Sequence, residues 1–460
     1  MKTRNYEMDM TSGSLPKKMI AYALPFIATG ALQLLFNTAD IIVVGRFAGD
    51  QSLAAVGSTT SLIGLIVNLF MGLSVGVSVL ISQYYGSNNY KGVSETVHTA
   101  FCVSLICGVL VGTFGFFFAK PMLQLMGSPH DVIDLATLYL KIYFLGTPAF
   151  LFYNFLSAVL RAVGDTRRPL FYLSLAGVLN IVLNLISVIV FHMGVAGVAI
   201  ATVSSQVLSS ALILRTLRSE TGCYHLDYRL LRIHWDKFIL MFKIGLPAGI
   251  QSSLFSISNV IIQSSINSWG SLAVAGSSAA QSIESFSYTA MNALSQTALA
   301  FTGQNIGAGN IKNVKRITLW ATLYVTILGI LMGGASYLLN QPLISLFTQD
   351  PKVIQYGAQR LFYICLPYFI CGIMEVFVGV LRGMGYSLIP MIISVGGICG
   401  FRILWIFTVY QHFHTLTTIY LSYPITWLIT ALIQAICLFI IIHKQQNYIK
   451  KRQARADSYE

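Results

Sequence analysis

Asp40 is the single charged residue in the stretch from Met19 to Val44, which is otherwise largely apolar and long enough to cross a bilayer as a helix. An ionisable group inside a spanning helix is costly, and it persists where it meets a cavity, a cation or a partner. Two other stretches supply companions. Asn180 and Asn184 stand at i and i+4 on one face of a later apolar run, and Thr202 lies in the next. If consecutive helices run alternately outward and inward, these residues reach one depth. Asp40 lies roughly 9 Å before the outer end of its helix at 1.5 Å per residue, and the asparagines and Thr202 sit at comparable heights. One carboxylate, two amide oxygens and a hydroxyl are hard oxygen ligands suited to Na⁺, or partners for a protonated acid. Burial disfavours the ionised carboxylate and a bound cation favours it, so occupancy changes the charge of the site and can bias a two-state bundle. Simple helix-tying polar contacts account for Asn180, Asn184 or Thr202 taken singly, but an acid is costly glue.

Further polar groups lie at membrane depth. Glu284 falls near the middle of an apolar run, with Arg402 in a later one, and the two are candidates for a substrate contact or a structural ion pair. Glu375 lies in the inner part of another run, and Asn154 occupies the matching place in the first half of the chain. Tyr143, Phe152, Tyr153 and Met291 are cavity-lining candidates, although aromatic and Met side chains in spans are mostly packed or lipid-facing. The seven cysteines show no CxxC pair and no His-linked metal spacing, and six lie in apolar runs, where free Cys behaves as a small hydrophobe. Of the eight histidines only His98 is away from loops and helix ends. Neither a metal set nor a Ser/His arrangement at membrane depth emerges, so a membrane-embedded enzyme is disfavoured and no cofactor is expected.

These residues need long helices to hold them. The 460-residue chain is 55% hydrophobic and 10% charged, against about a quarter charged in soluble domains. Apolar runs bounded by charges, Gly, Pro or Asn read as twelve spans at about 19–44, 53–83, 93–118, 134–160, 168–191, 194–217, 237–265, 272–303, 314–338, 355–381, 387–410 and 417–442. The fold class is all-α and polytopic. The net charge of +13 does not form a solvated basic face for nucleic acid; the basic residues concentrate in alternate loops. With the N-terminus inside, Lys2, Arg4, Lys17, Lys18, Lys91, Arg161, Arg167, Arg168, the group from Arg215 to Lys243, Lys312, Lys315, Arg316, Arg382 and the tail from Lys444 fall on the cytoplasmic side. Only Arg46, Lys120, Lys141, Lys352 and Arg360 fall outside. The start of the chain lacks the short apolar region and small-residue site of a cleavable signal, so the first helix is expected to remain as an anchor.

The chain repeats itself. Leu24-Pro25 recurs as Leu246-Pro247, Gln83, Gly86, Asn89 and Lys91 as Gln304, Gly307, Asn310 and Lys312, and Leu160-Arg161-x-x-Gly164 as Leu381-Arg382-x-x-Gly385. Each half holds six helices, so the repeat is parallel, an arrangement of transporters whose two lobes rock about a central pathway. The expected division is a six-helix lobe at 1–217, a cytoplasmic linker at 218–236, a second lobe at 237–442 and a basic tail at 443–460. Pro25 and Pro247 each lack a backbone donor inside a helix and are hinge candidates. The acid site does not repeat: Ile262, Phe401 and Trp405 stand near the positions equivalent to Asp40, Asn180 and Asn184.

Leu24-Pro25, Asp40 followed by Val44-Gly45-Arg46, Asn180-xxx-Asn184, Thr202 and the doubled Leu-Arg-x-x-Gly motif together resemble the MATE (multidrug and toxic compound extrusion) family over nearly the whole chain. The resemblance implies an antiporter that expels small organic, often cationic and lipophilic, compounds in exchange for H⁺ or Na⁺, with Asp40, Asn180, Asn184 and Thr202 as its cation site. One branch of that family carries acids where this chain has Phe255 and Cys371, which argues against a second-lobe Na⁺ site of that type. The expectation is a monomeric multi-pass protein of a bacterial plasma membrane, both termini cytoplasmic, acting on drug-like small molecules. A lipid-linked oligosaccharide flippase of the same superfamily is the nearest alternative, disfavoured by the few basic residues in the spans.

Overall fold

Apolar runs that must satisfy every backbone N–H and C=O without water fold as helices, and the computed structural model follows this along the chain. It describes residues 6–128 and 132–456. Lys2 and Arg4, counted above toward the inner side, lie outside the described residues, as does the end of the tail from 457.

The long helices are α1 (Leu15–Phe47), α2 (Asp50–Gly86), α3 (Tyr90–Leu125), α4 (Ile133–Ala162), α5 (Arg167–Val190), α6 (Gly194–Ser219), α7 (Trp235–Asn267), α8 (Ser271–Gly307), α9 (Ile311–Leu338), α10 (Pro351–Cys365 and Tyr368–Gly383), α11 (Leu388–His412) and α12 (Leu416–Ala456), with short helical pieces at Tyr228–Leu230 and Asn340–Ser345. Among the described residues there are no strands. Ten of these helices are single elements long and apolar enough to cross a membrane, and α10 is an eleventh with a 44° bend at its break. The twelfth, α8, is 37 residues long but too rich in Ser, Gln and Asn to match the others in hydropathy. Both α1 and α7 continue uninterrupted through Pro25 and Pro247. Three spans contain a π-helical turn: Ile186–Val190 in α5, Leu361–Cys365 in α10 and Val395–Gly400 in α11. Each abuts a polar residue considered above or below, in the pattern by which such turns re-aim side chains.

The chain divides into two compact units. Unit 1 runs to Met8 and takes in Leu24–Tyr84 and Asn89–Gly249; unit 2 takes in Asp9–Ala23, Tyr85–Asn88 and the chain from Ile250 on. The polar stretch after α6 packs onto unit 1 rather than hanging free. Tyr224 and Leu226 are buried in it, and His98 Nε2 lies 3.1 Å from the backbone oxygen of Asp227.

The same device closes a helix pair in each unit. A Cβ on Gly108 of α3 would come within 2.5 Å of Pro148 Cα in α4, and one on Gly329 of α9 within 2.6 Å of Phe369 Cα in α10. One turn on, Gly112 faces the carbonyl oxygen of Phe144 and Gly333 that of Cys365. All four glycines and their four partners are related by the offset that carries Leu160-Arg161 into Leu381-Arg382. Small residues let spanning helices approach closely enough for backbone contact.

Candidate functional site

In unit 1 the positioning starts from a missing side chain. Gly177 on α5 has no Cβ, and the Phe36 ring of α1 occupies that space. Phe36 and Asp40 are one turn apart, and Gly177, Asn180 and Asn184 form one stripe of α5, so seating the ring brings Asp40 to Asn184. Gly197 on α6 lets that helix close on Ser187 of α5, which presents Thr202 to the same stripe.

The result is a continuous hydrogen-bonded chain across three helices. Asn184 Nδ2 donates to Asp40 Oδ1 and lies 3.4 Å from Asn180 Oδ1. Asn180 Nδ2 donates to Thr202 Oγ1 at 3.4 Å, and the Thr202 hydroxyl donates to Val198 O at 3.0 Å. Both asparagines are buried, and Asp40 and Thr202 are half-buried. Among the described residues no cationic side chain pairs with Asp40. Asn184 Oδ1 is enclosed and has no hydrogen-bond partner, an unmet acceptor beside a carboxylate. Buried acceptors are normally satisfied, so this oxygen and Asp40 fit a small cation or a transferred proton.

Unit 2 carries a different arrangement. Gly276 on α8 abuts the backbone of α10 at Val353 and Gly357, and this close approach brings Arg360 of α10 onto the Ser277/Glu284 stripe of α8. Arg360 Nε donates to Glu284 Oε1 at 2.7 Å and its Nη2 to Oε2 at 2.9 Å, while Nη1 donates to Ser277 Oγ at 2.7 Å. Arg360 is 3% and Glu284 6% exposed. The guanidinium also lies 5.9 Å from the ring centres of Tyr420 and Tyr423 on α12. This is a bidentate ion pair with both carboxylate oxygens engaged.

Residues 25–186 and 247–408 each match the family model of MatE, so the matched copies begin at Pro25 and Pro247 and cover most of the chain. This chain belongs to the MatE family. It is 30% identical to the probable multidrug resistance protein YpnP of Bacillus subtilis over 395 residues, which is 84% of this chain and 86% of that protein. With the probable multidrug resistance protein YoeA of the same organism it shares 28% identity over 96% of this chain and 95% of that one. Its fold is that of a MOP-superfamily transporter from Pyrococcus furiosus, with a TM-score of 0.90 at 21% identity over 97% of this chain and 99% of the other. The twelve-helix fold in two six-helix repeats follows from the matched halves and this likeness.

Several of the sequence-derived expectations meet this MatE fold differently. Asp40, Asn180, Asn184 and Thr202 come together. The Glu284–Arg402 pair does not form: Glu284 is taken by Arg360, which was assigned above to the outer loops. Arg360 follows Pro351 by more than two helical turns, so it lies inside α10 and is buried. Depth along the helices allowed either arginine, and the direction each faces decides between them. Arg402 instead stacks 4.1 Å from the ring centre of Tyr423. Asn154 Nδ2 donates to Phe150 O at 2.8 Å in its own helix. Glu375 is buried, and its backbone oxygen accepts from Ser295 Oγ at 2.7 Å. Phe152, Tyr153 and Met291 are packed core residues, with Tyr153 donating to Pro169 O at 3.0 Å. Arg360, Ser277 and Tyr423 escaped the sequence reading, although an arginine within the 355–381 run was itself a signal.

Proposed function

We propose that this MatE chain is a secondary antiporter that exports small organic, lipophilic compounds, cationic ones among them, in exchange for H⁺ or Na⁺. The observation that carries the reading is the Asp40–Asn184–Asn180–Thr202 chain, which ends in an acid without a permanent counter-ion and an amide oxygen without a partner. An acid in that setting can exchange its cation, and its change of charge biases one arrangement of the helices over another. The cycle is alternating access: cargo enters from the cytoplasm or inner leaflet, and the cation at Asp40 favours release and return. The names of its relatives as multidrug resistance proteins support export of such compounds.

The orientation with both termini inside gains support from Arg360. With that residue buried against Glu284, the basic residues on the outer side reduce to Arg46, Lys120, Lys141 and Lys352, and the bias toward the inner loops sharpens. Proteoliposomes loaded with a labelled cationic dye, under an imposed pH or Na⁺ gradient, test the reading and identify the ion. Asp40→Asn should lose gradient-driven flux while reconstituting at the wild-type level; undiminished driven flux in that variant overturns the assignment.

A further inference from the structure

Among the described residues, the buried charged side chains of unit 2 are three arginines, Arg360, Arg382 and Arg402, and two carboxylates, Glu284 and Glu375. Two of the arginines are accounted for. Arg360 holds Glu284 on both oxygens. Arg382 donates to Gln251 Oε1 at 2.9 Å, although its Nε is enclosed without a partner. Arg402 is left over. It is 3% exposed, its Nε is enclosed with no partner, and among the described residues it donates no hydrogen bond and makes no ion pair.

What Arg402 does have is a platform. Its guanidinium stacks on Tyr423 at 4.1 Å. Tyr423 meets Trp427 edge-on at 5.8 Å, and Trp427 meets Tyr368 at 5.2 Å. Trp405, three residues along α11, donates to Thr418 O at 2.9 Å and pins that helix to α12. A cation–π stack recovers only part of the cost of burying a charge, and it covers a face of the guanidinium while the N–H donors point from its edge. That planar fork is the one that fits a carboxylate or phosphate with two parallel hydrogen bonds. Buried charges are paired, and no described group of this unit pairs with this one.

We propose that Arg402 is an anion-recognition group: an acidic group of the cargo, a carboxylate or a phosphate monoester, docks on the free edge of its guanidinium while Tyr423 backs the face. The word cargo rests on the export reading above; the anion site itself does not. Cationic compounds that also bear an acid group are then favoured over their esters.

The test is thermal unfolding of the purified full-length protein in benzoate, phenyl phosphate or benzylamine. At least one of the two anions should raise the midpoint by a few degrees in the wild type, and the larger effect names the preferred acidic group, whereas benzylamine should not. Arg402→Gln should abolish the shift, and Arg402→Lys, which keeps the charge but not the fork, should need about tenfold more anion. No anion shift in the wild type, or an equal shift in Arg402→Gln, overturns the proposal; if that variant does not fold, Arg402→Lys decides in the same way. Transport of rhodamine 110, which has a free carboxylate, against its methyl ester rhodamine 123 then reads the cargo preference. A preference for the acid that disappears with Arg402 supports the proposal, and an equal fall for both dyes assigns Arg402 to structure. Asp40→Asn should keep the anion shift. Undiminished driven export in that variant would remove the Asp40 coupling assignment, and no driven export of either dye by the wild type would remove the export reading; either result leaves the anion site standing.

Discussion

Asp40 in unit 1 meets a neutral amide, with a second amide and a hydroxyl beyond it; Glu284 in unit 2 meets a guanidinium on both of its oxygens. The scaffold around them is alike, since Gly108 and Gly112 repeat as Gly329 and Gly333 against matching partners. The difference lies in the counter-ion. A carboxylate facing amides is stabilised by a mobile cation and released from it at modest cost, whereas a carboxylate in a bidentate buried pair has its charge satisfied permanently. Under the proposed antiport reading, exchange is the task of the first unit and mechanical fixation that of the second.

The strongest way to break this contrast is to neutralise each acid in turn. Asp40→Asn should reduce ion-driven dye flux to the level of empty liposomes with little change in unfolding temperature. Glu284→Gln should do the reverse, leaving the coupling ion and its stoichiometry unchanged in the molecules that fold, but costing about 3–5 kcal/mol because Arg360 is left buried and unpaired. The double change Glu284→Leu with Arg360→Met should recover most of that loss in a thermal melt, since replacing both members of a buried pair with apolar groups is often neutral. If Glu284→Gln alters the number of ions moved per cycle, the division of labour is wrong.

Smaller effects sharpen the comparison. Asn184→Ala removes the donor to Asp40 and should cost about 1–3 kcal/mol, read as a weaker apparent affinity for the driving ion with cargo affinity unchanged. Gly108→Ala and Gly329→Ala should each cost about 1–3 kcal/mol by overpacking, and similar losses in the two would show that the scaffold is equivalent in both units. The least effect is expected at Asp9. Burial alone would raise its pKa, but hydrogen bonds from Ser12 and Thr11 and the charge of Lys18 hold it at about 2 rather than 3.8. A lowered folded-state value stabilises above the unfolded one and is lost as pH falls through the folded one. Protease sensitivity near Met10, whose backbone is clasped by Gln304 and Asn305, should therefore rise between about pH 4 and 2 and stay flat above.

Much of the architecture was legible because hydrocarbon leaves the backbone few choices, and because the repeat sets helices of one half beside those of the other for comparison. The break in α10 falls at Pro367 and the π turn at Val395–Gly400 holds three glycines, signals that were present but unread, whereas the π turns at Ile186–Val190 and Leu361–Cys365 contain neither Gly nor Pro. The grouping of Asp40 with Asn180, Asn184 and Thr202 could be read from depth alone, because i and i+4 spacing fixed one face and only three helices were involved. Arg360 was misplaced for the opposite reason: a residue near the edge of an apolar run reads as loop, although it turns inward. Glu284 was then matched to Arg402 by depth without knowledge of the direction either one faces.

The paired glycines carry an evolutionary consequence. Features held at one offset in both halves are those an ancestral half-length chain already had, and helix contact through Gly108 and Gly329 is among them. Two copies read from one gene would have had to carry the same residue at every position, so neither copy could keep the acid and its amide while the other held Ile262 and Phe401 in their places. Fusion into a single reading frame removed that constraint, and a polar site carried by one half alone is what covalent duplication made available to selection.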